Sequence, residues 1–402
     1  MSREKLIASI KAVVEEKLPV FQEQALDIHA HPETSNEEYY SSKVLADRLE
    51  EEGFTVERDV LGHPTGFIAS YQSQKPGPTL VYLAEFDALA GLGHGCGHNL
   101  YGNYSSLAAV ALRSILDEVG GELRVYGTPG EEGGWNGSAK ESFVREGCFK
   151  DVDAALCAHP GATHRYGGPL LAVDPIDIEF FGTSAHAAAA PEKGNSALIP
   201  LIQTFVAIDA LRYHLPKDVN IHGVILDGGE APNVIPDYAR ARYYLRAKNR
   251  RTLDKVRKRV ENIVKGQALA TSTEYKFALF QNKVDDMILT PSFEDVYFSH
   301  FPEVGLSEKD IDRRPNQIGG SSDVGNVSQV VPTIQPYVSI SDQDIAGHTP
   351  EFVVAAKSEK GLDSIRVAAI CLALTGLDLI TQPKLLQKIK DEHQKQKEAK
   401  AE

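Results

Sequence analysis

The segment GLGHGCGHN places Cys96 and His98 two residues apart among glycines, with no bulky neighbour to keep a ligand away. A thiolate and an imidazole at that spacing in a tight turn can reach one divalent cation or bridge two, and the mixed donor pair suits zinc or its neighbours. Taken alone, a packing cysteine beside an exposed loop histidine explains the pair equally well. Further on, GTPGEEGG sets Glu131 and Glu132 side by side. Adjacent carboxylates repel, so burying both is costly unless a cation or a shared proton compensates. One carboxylate on a metal with its neighbour as general base resolves that conflict and provides the proton acceptor hydrolysis needs; an exposed acidic loop is the plainer alternative. His159 in CAHPG and His348 in AGHTPE complete a set of five candidate ligands with Cys96, His98 and Glu132. Each stands just beyond a predicted sheet element, a coincidence that surface histidines and a structural cysteine leave unexplained.

Those residues are far apart in the chain, so the fold must gather them. The run PTLVYLAEFDA, from Pro78 to Ala88, reads as a buried strand, and Ser106 to Val119 as a helix with Leu107, Ala111, Leu112, Ile115 and Leu116 on one side. Strands follow at Leu123 to Thr128, Ala154 to Ala158 and Val331 to Ile340. That order predicts an α/β fold, a mostly parallel sheet covered by helices, whose sites form beyond the carboxyl ends of the strands. GHGCGHN, GEEGG, AHPGA and GHTPE are then expected to converge. Between residues 170 and 284 the pattern changes to short strands and two helices, 196–215 and a charged one at 253–269, which predicts an inserted α+β domain. Residues 1–169 and 285–402 would form the catalytic, metal-binding domain around it. Apolar positions from Leu6 to Leu18 and the stretch Tyr40 to Glu52 read as packing helices, and the charged C-terminus as a solvated helix or frayed tail.

Composition narrows the function. The 402 residues are 42% hydrophobic and 24% charged, enough for a full core, and the net charge of -14 disfavours nucleic acid or an anionic membrane as partner. No apolar run reaches the roughly 18 residues of a spanning helix, and the N-terminus reads as an amphipathic helix rather than a signal-peptide core. Four irregularly spaced cysteines, Cys96, Cys148, Cys157 and Cys371, suit a reducing compartment, with the cytoplasm expected.

The motifs AEFDAL, GHGCGHN, GTPGEEGG, AHPGA, FFGTSAHAAAAP, APNVIP, GGSSDVGNVSQVVPTI and GHTPEF run in order from about residue 80 to about residue 355. In that ordered set the chain resembles the aminoacylase and dipeptidase family of two-metal peptidases, in its amidohydrolase branch. It is most similar there to the dipeptidase-like and aminobenzoyl-glutamate-hydrolase-like members. The resemblance implies two divalent metal ions, zinc first with manganese or cobalt as alternatives, bridged by Cys96 and completed by His98, Glu132, His159 and His348. It implies Glu131 as general base, Asp87 as an outer acid orienting a ligand, and His186 as an oxyanion contact. Asn233 and Arg246 match substrate-carboxylate positions, and the inserted domain would be a lid and dimerisation domain, making a homodimer or higher oligomer. The substrate would be a dipeptide, an N-acyl amino acid or an aminobenzoyl-glutamate-like amide. Asn99 departs from the Asp that many relatives carry after the ligand histidine. In GGSSDVGNVS, Ser321, Ser322 and Asp323 are candidates for the substrate pocket, with a helix N-cap as the alternative.

Two competitors stay open. A cysteine hydrolase would pair Cys96 with His98, but no third group orients that histidine. A catalytically silent relative would act as a binding or assembly module, against which the retained Glu131 argues. Neither an HExxH helix nor the HxE and PCxxC signature of nucleobase deaminases is present.

Overall fold

The apolar run TLVYLA forms the strand Thr79–Ala84, buried beyond its first residue as a strand covered on both faces must be. Around it the computed structural model, which describes residues 1–314 and 320–401, builds a six-stranded sheet. Its order is Thr55–Val60, His63–Gln72, Glu122–Gly127, Thr79–Ala84, Ala154–Leu156, Thr333–Ile334. The last four strands run parallel and the first two antiparallel, so the sheet is mostly parallel with a hairpin at one edge. That hairpin is absent from the sequence reading, because TVERDV alternates charge with only partial burial and lacks an apolar face. A two-stranded parallel ribbon, His159–Gly161 with Tyr337–Ser339, continues beyond the sheet.

Three long helices, Arg3–Ala30, His98–Val119 and Glu359–Thr381, pack on one another. The last is long and apolar enough to cross a membrane by length and composition, which corrects the expectation that no stretch qualifies; 89% of its apolar window is buried inside the protein. Sheet and helices belong to one unit comprising Met1–Pro169, Met287–Ile318 and Ser322–Glu402. A further helix, Pro383–Ala401, occupies the charged C-terminus.

The second unit is Leu170–Asp286 with Gly319–Ser321. Its antiparallel sheet has the order Glu274–Leu279, Ala172–Phe181, Tyr238–Ala247, Asn220–Asp227. Strand Tyr238–Ala247 alternates buried and half-buried residues with period two, as a one-sided sheet requires. The helix Arg250–Thr271, capped by the Asn249 side chain on Thr252 N, buries Leu253, Val256, Val260, Val264 and Ala268 at helical spacing. The other helix, Leu198–Arg212, leaves Ile199, Ile202 and Val206 exposed, and edge strand Asn220–Asp227 leaves Val224, Ile225 and Leu226 exposed.

Candidate metal centre

Asp87 and the two glutamates lie just past strands of the first unit and Cys96 lies just ahead of the helix His98–Val119, and the backbone does the gathering. Gly97 takes φ +77°, a left-handed turn, and His98 opens the next helix. The expected helix start at Ser106 is therefore eight residues late, because HNLYGNYS has no apolar period and no side-chain cap to announce it. Facing it, Glu131 and Glu132 follow the strand Glu122–Gly127. His159 opens the short ribbon, and His348 precedes the helix Pro350–Ala355 with its backbone N–H donated to Gly95 O at 2.8 Å.

These side chains meet. Cys96 with His98 and His159 forms one cluster, and Cys96 with Glu132 and His348 a second; within each, the candidate ligand atoms all lie within 4.8 Å of one another. Cys96 Sγ is 3.4 Å from His159 Nε2, and His348 Nε2 is 3.4 Å from a Glu132 carboxylate oxygen. Such spacings suit donors that share a cation at about 2.0–2.3 Å each. The cysteine common to both clusters is where a bridging ligand would sit.

The remaining nitrogens are already committed. His98 Nδ1 donates to Asp87 Oδ1 at 2.8 Å, leaving Nε2 toward the cluster; His159 Nδ1 donates to Pro160 O at 2.7 Å and likewise leaves Nε2. Asp87 Oδ2 accepts Glu132 N at 2.9 Å, so one carboxylate orients residues of both clusters. His98 Nε2 and Glu132 Oε1 are buried without a hydrogen bond. Burial and the Glu132 charge push the Cys96 thiol up, and burial together with Glu85 and Glu132 pushes the Glu131 carboxyl up. Against its own burial, the Glu132 carboxyl is lowered, by His348 and then His98. A half-buried thiol and paired carboxylates of this kind are reconciled by positive charge, so the donor set fits divalent cations.

Two groups under the cluster have no counterpart in the sequence reading. Glu85, fully buried, stands 3.3 Å from His98 Nε2 and 2.8 Å from Lys140 Nζ. Lys140, also fully buried, pairs with Asp323 Oδ1 at 2.6 Å and donates its backbone N–H to Asp323 Oδ2 at 3.0 Å. Asp323 was expected in the substrate pocket; it is fully buried, with both oxygens taken by Lys140, and belongs to the floor of the site. Asp323 stands at the N-cap of the helix Val324–Ser328 but its side chain makes no cap bond; the first N–H of that helix, on Val324, goes to Ser322 Oγ instead. Glu85 was visible as the acid two residues before Asp87 in AEFDAL, but nothing in GSAKES marks its lysine as interior.

His186, Asn233 and Arg246 lie in the second unit. Exposed His186 accepts the N–H groups of Ala188 and Ala189 at Nδ1, both at 3.2 Å, which leaves the proton of the neutral ring on Nε2. Asn233 is exposed and its carbonyl accepts Ala187 N at 3.0 Å, so His186 and Asn233 sit on adjoining loops. Half-buried Arg246 donates to Ser321 Oγ at 3.3 Å and stands over the Tyr244 ring. Ser322, of the first unit, accepts Val324 N instead.

Comparisons with known proteins agree on kinship. The peptidase dimerisation domain matches residues 176–272. The human Xaa-Arg dipeptidase is 30% identical over 381 residues, covering 91% of this chain and 86% of that protein. A p-aminobenzoyl-glutamate hydrolase chain of Escherichia coli strain K12 is 32% identical, covering 90% of this chain and 90% of that one. Among solved structures, a dinuclear metal-binding peptidase of the M20 family from Bacillus subtilis shares the fold, with TM-score 0.56 at 18% identity over 90% of this chain and 99% of that one.

Proposed function

We propose, since this chain belongs to the M20 peptidase family, that it hydrolyses the amide bond of a carboxylate-bearing small substrate with two divalent cations at Cys96, His98, Glu132, His159 and His348. The protein is a hydrolase acting on amide or peptide bonds. The observation that carries the finer reading is the pair of ligand clusters sharing Cys96, with the carboxylate of Glu131, outside both and grouped with Glu85 and His98, beside them: Glu131 Oε2 is 4.0 Å from His98 Nε2. A mixed sulfur, nitrogen and oxygen set favours zinc, with manganese or cobalt as alternatives.

When bound, the cations supply a polarised substrate carbonyl and a water whose pKa falls toward neutrality. Glu131 accepts the proton of the attacking water as its oxygen joins the amide carbon, then delivers that proton to the nitrogen as the C–N bond breaks. Asp87 keeps His98 and Glu132 in orientation throughout. Nε2–H of His186 is the donor proposed for the oxyanion, a contact whose loss typically costs about 3 kcal/mol of barrier. Arg246, with Asn233, is the proposed holder of the substrate carboxylate.

We assign the dimer contact to the second unit. Its edge strand Asn220–Asp227 pairs with Tyr238–Ala247 on one side only among the described residues, and the exposed apolar side chains of that strand and of Leu198–Arg212 are the surface a second copy would cover. The four free cysteines suit a reducing compartment such as the cytoplasm.

The decisive test is a panel of dipeptides, N-acyl amino acids and p-aminobenzoyl-glutamate, run on metal-reconstituted protein before and after chelation. Hydrolysis that chelation abolishes and zinc or manganese restores is expected. Activity that survives chelation but dies with thiol alkylation would instead identify a cysteine hydrolase, and no hydrolysis of any substrate a silent relative. Cys96→Ala, which removes the ligand common to both clusters, should lose bound metal; full occupancy by elemental analysis in that variant would overturn the bridging role.

A further inference from the structure

Asn99 follows a candidate ligand directly, is fully buried, and spends both its amide hydrogens on distant backbone. Its Nδ2 donates to Ala25 O and to Ala356 O, each at 3.1 Å. Ala25 belongs to the last turns of the helix Arg3–Ala30, and Ala356 closes the short helix Pro350–Ala355 that starts two residues after His348. Its Oδ1 is buried with no hydrogen bond. The geometry therefore selects an NH2 group and has no use for the oxygen. Among short side chains that polar group is particular to asparagine, since an ionised aspartate only accepts and would press negative charge on two carbonyl oxygens.

His348 depends on that short helix. Its side chain is 56% exposed and it holds φ +62°; its own tie to the interior is the backbone N–H donated to Gly95 O at 2.8 Å, and the rest of its placement comes from what fastens its neighbours. Thr349 caps the helix through Phe352 N at 3.3 Å, Phe352 is buried, and a Cβ at Gly97 would meet its ring at 3.2 Å. On the opposite side His29 Nε2 lies 2.9 Å from Val353 O. Beside the His348 N–Gly95 O bond at the start of this element, Asn99 is the side-chain link from the segment of Cys96 and His98 to its far end, because the carbonyl of Ala356 is among those a helix end leaves without an internal partner.

We infer that Asn99 is a positioning residue that holds the His348 loop in register with Cys96, and so completes the Cys96, Glu132 and His348 cluster as a cation site. The inference rests on the two-metal reading above. It predicts an asymmetric loss: the cluster of Cys96, His98 and His159 keeps its ion, while the one that needs His348 weakens. Outer residues that orient ligands typically set metal affinity by about 10- to 100-fold, and the second ion should weaken by that factor.

The test uses metal-stripped wild-type protein, Asn99→Asp and Asn99→Ala. Circular dichroism first checks folding, and zinc is then titrated against a chromogenic chelator. Wild-type protein should take up two ions per chain, and the variants one ion at near wild-type affinity and the second more weakly. Asn99→Ala decides the matter if the aspartate variant does not fold. Two ions at wild-type affinity in a folded variant, or equal weakening of both, would reduce Asn99 to a core amide and end the inference while leaving the two-metal reading intact. A wild-type protein that binds no zinc would overturn that reading, and the inference with it.

Discussion

Glu131→Gln keeps its metal and loses its turnover: elemental analysis should match the wild-type protein while kcat falls by about 10²- to 10⁴-fold, the usual worth of a positioned acid or base. The substitution preserves the shape of the side chain and deletes only its capacity to take a proton. Glu131 belongs to neither cluster that shares Cys96, so its amide should leave both ion sites whole, in contrast to Cys96→Ala. Its surroundings suit a shuttle. Burial, then Glu85 and Glu132, push its proton affinity up, and divalent charge alongside pulls it back down. A carboxyl balanced between those pressures can accept a proton from water and release it to a leaving amine in one cycle. The loss should appear in kcat, with KM changed little, because the missing interaction develops after the substrate is bound. Steady-state kinetics on the full-occupancy variant checks it, and a kcat within a few-fold of wild type would remove Glu131 from the role.

The convergence of these five candidate ligands was legible because each is a residue type rarely placed by chance after a strand, and because strand ends are where an α/β sheet gathers its polar groups. Cys96, His98, Glu132, His159 and His348 needed no side-chain geometry to be nominated; residue type and position along the chain carried them. What sequence pattern cannot carry is pairing at long range. Lys140 and Asp323 are 183 residues apart, and a lysine in GSAKES looks like the solvated start of a helix until its partners are placed. The helix start at His98 was missed because its first turn has glycine before it and asparagine, tyrosine and serine within it, with burial on all sides and so no amphipathic stripe to detect. Asn99 was noticed only as a departure from a family pattern, whereas its meaning lies in two carbonyl oxygens from opposite ends of the chain.

Lys140→Met should be among the most destabilising single changes in the first unit, at about 3–5 kcal/mol, since it removes one partner of a buried ion cluster and leaves the others bare. Methionine matches the length of the lysine stem, so the loss would come from charge and not from packing. Burial works against the Lys140 ammonium, and Asp323 and then Glu85 outweigh it, raising its proton affinity. Without it, Glu85 and Asp323 are two carboxylates with no exposed surface, and Glu85 lies against His98 with its charge no longer offset. The variant should therefore unfold at lower denaturant concentration. Adding Glu85→Gln and Asp323→Asn in the same chain should recover a large part of the loss, because neutral partners no longer need the cation. Denaturant unfolding of the metal-free proteins, followed by circular dichroism, measures both effects. If Lys140→Met cost less than about 1 kcal/mol, the figure for an ordinary hydrogen bond, Lys140 would not be the counter-charge on which the floor of the site rests.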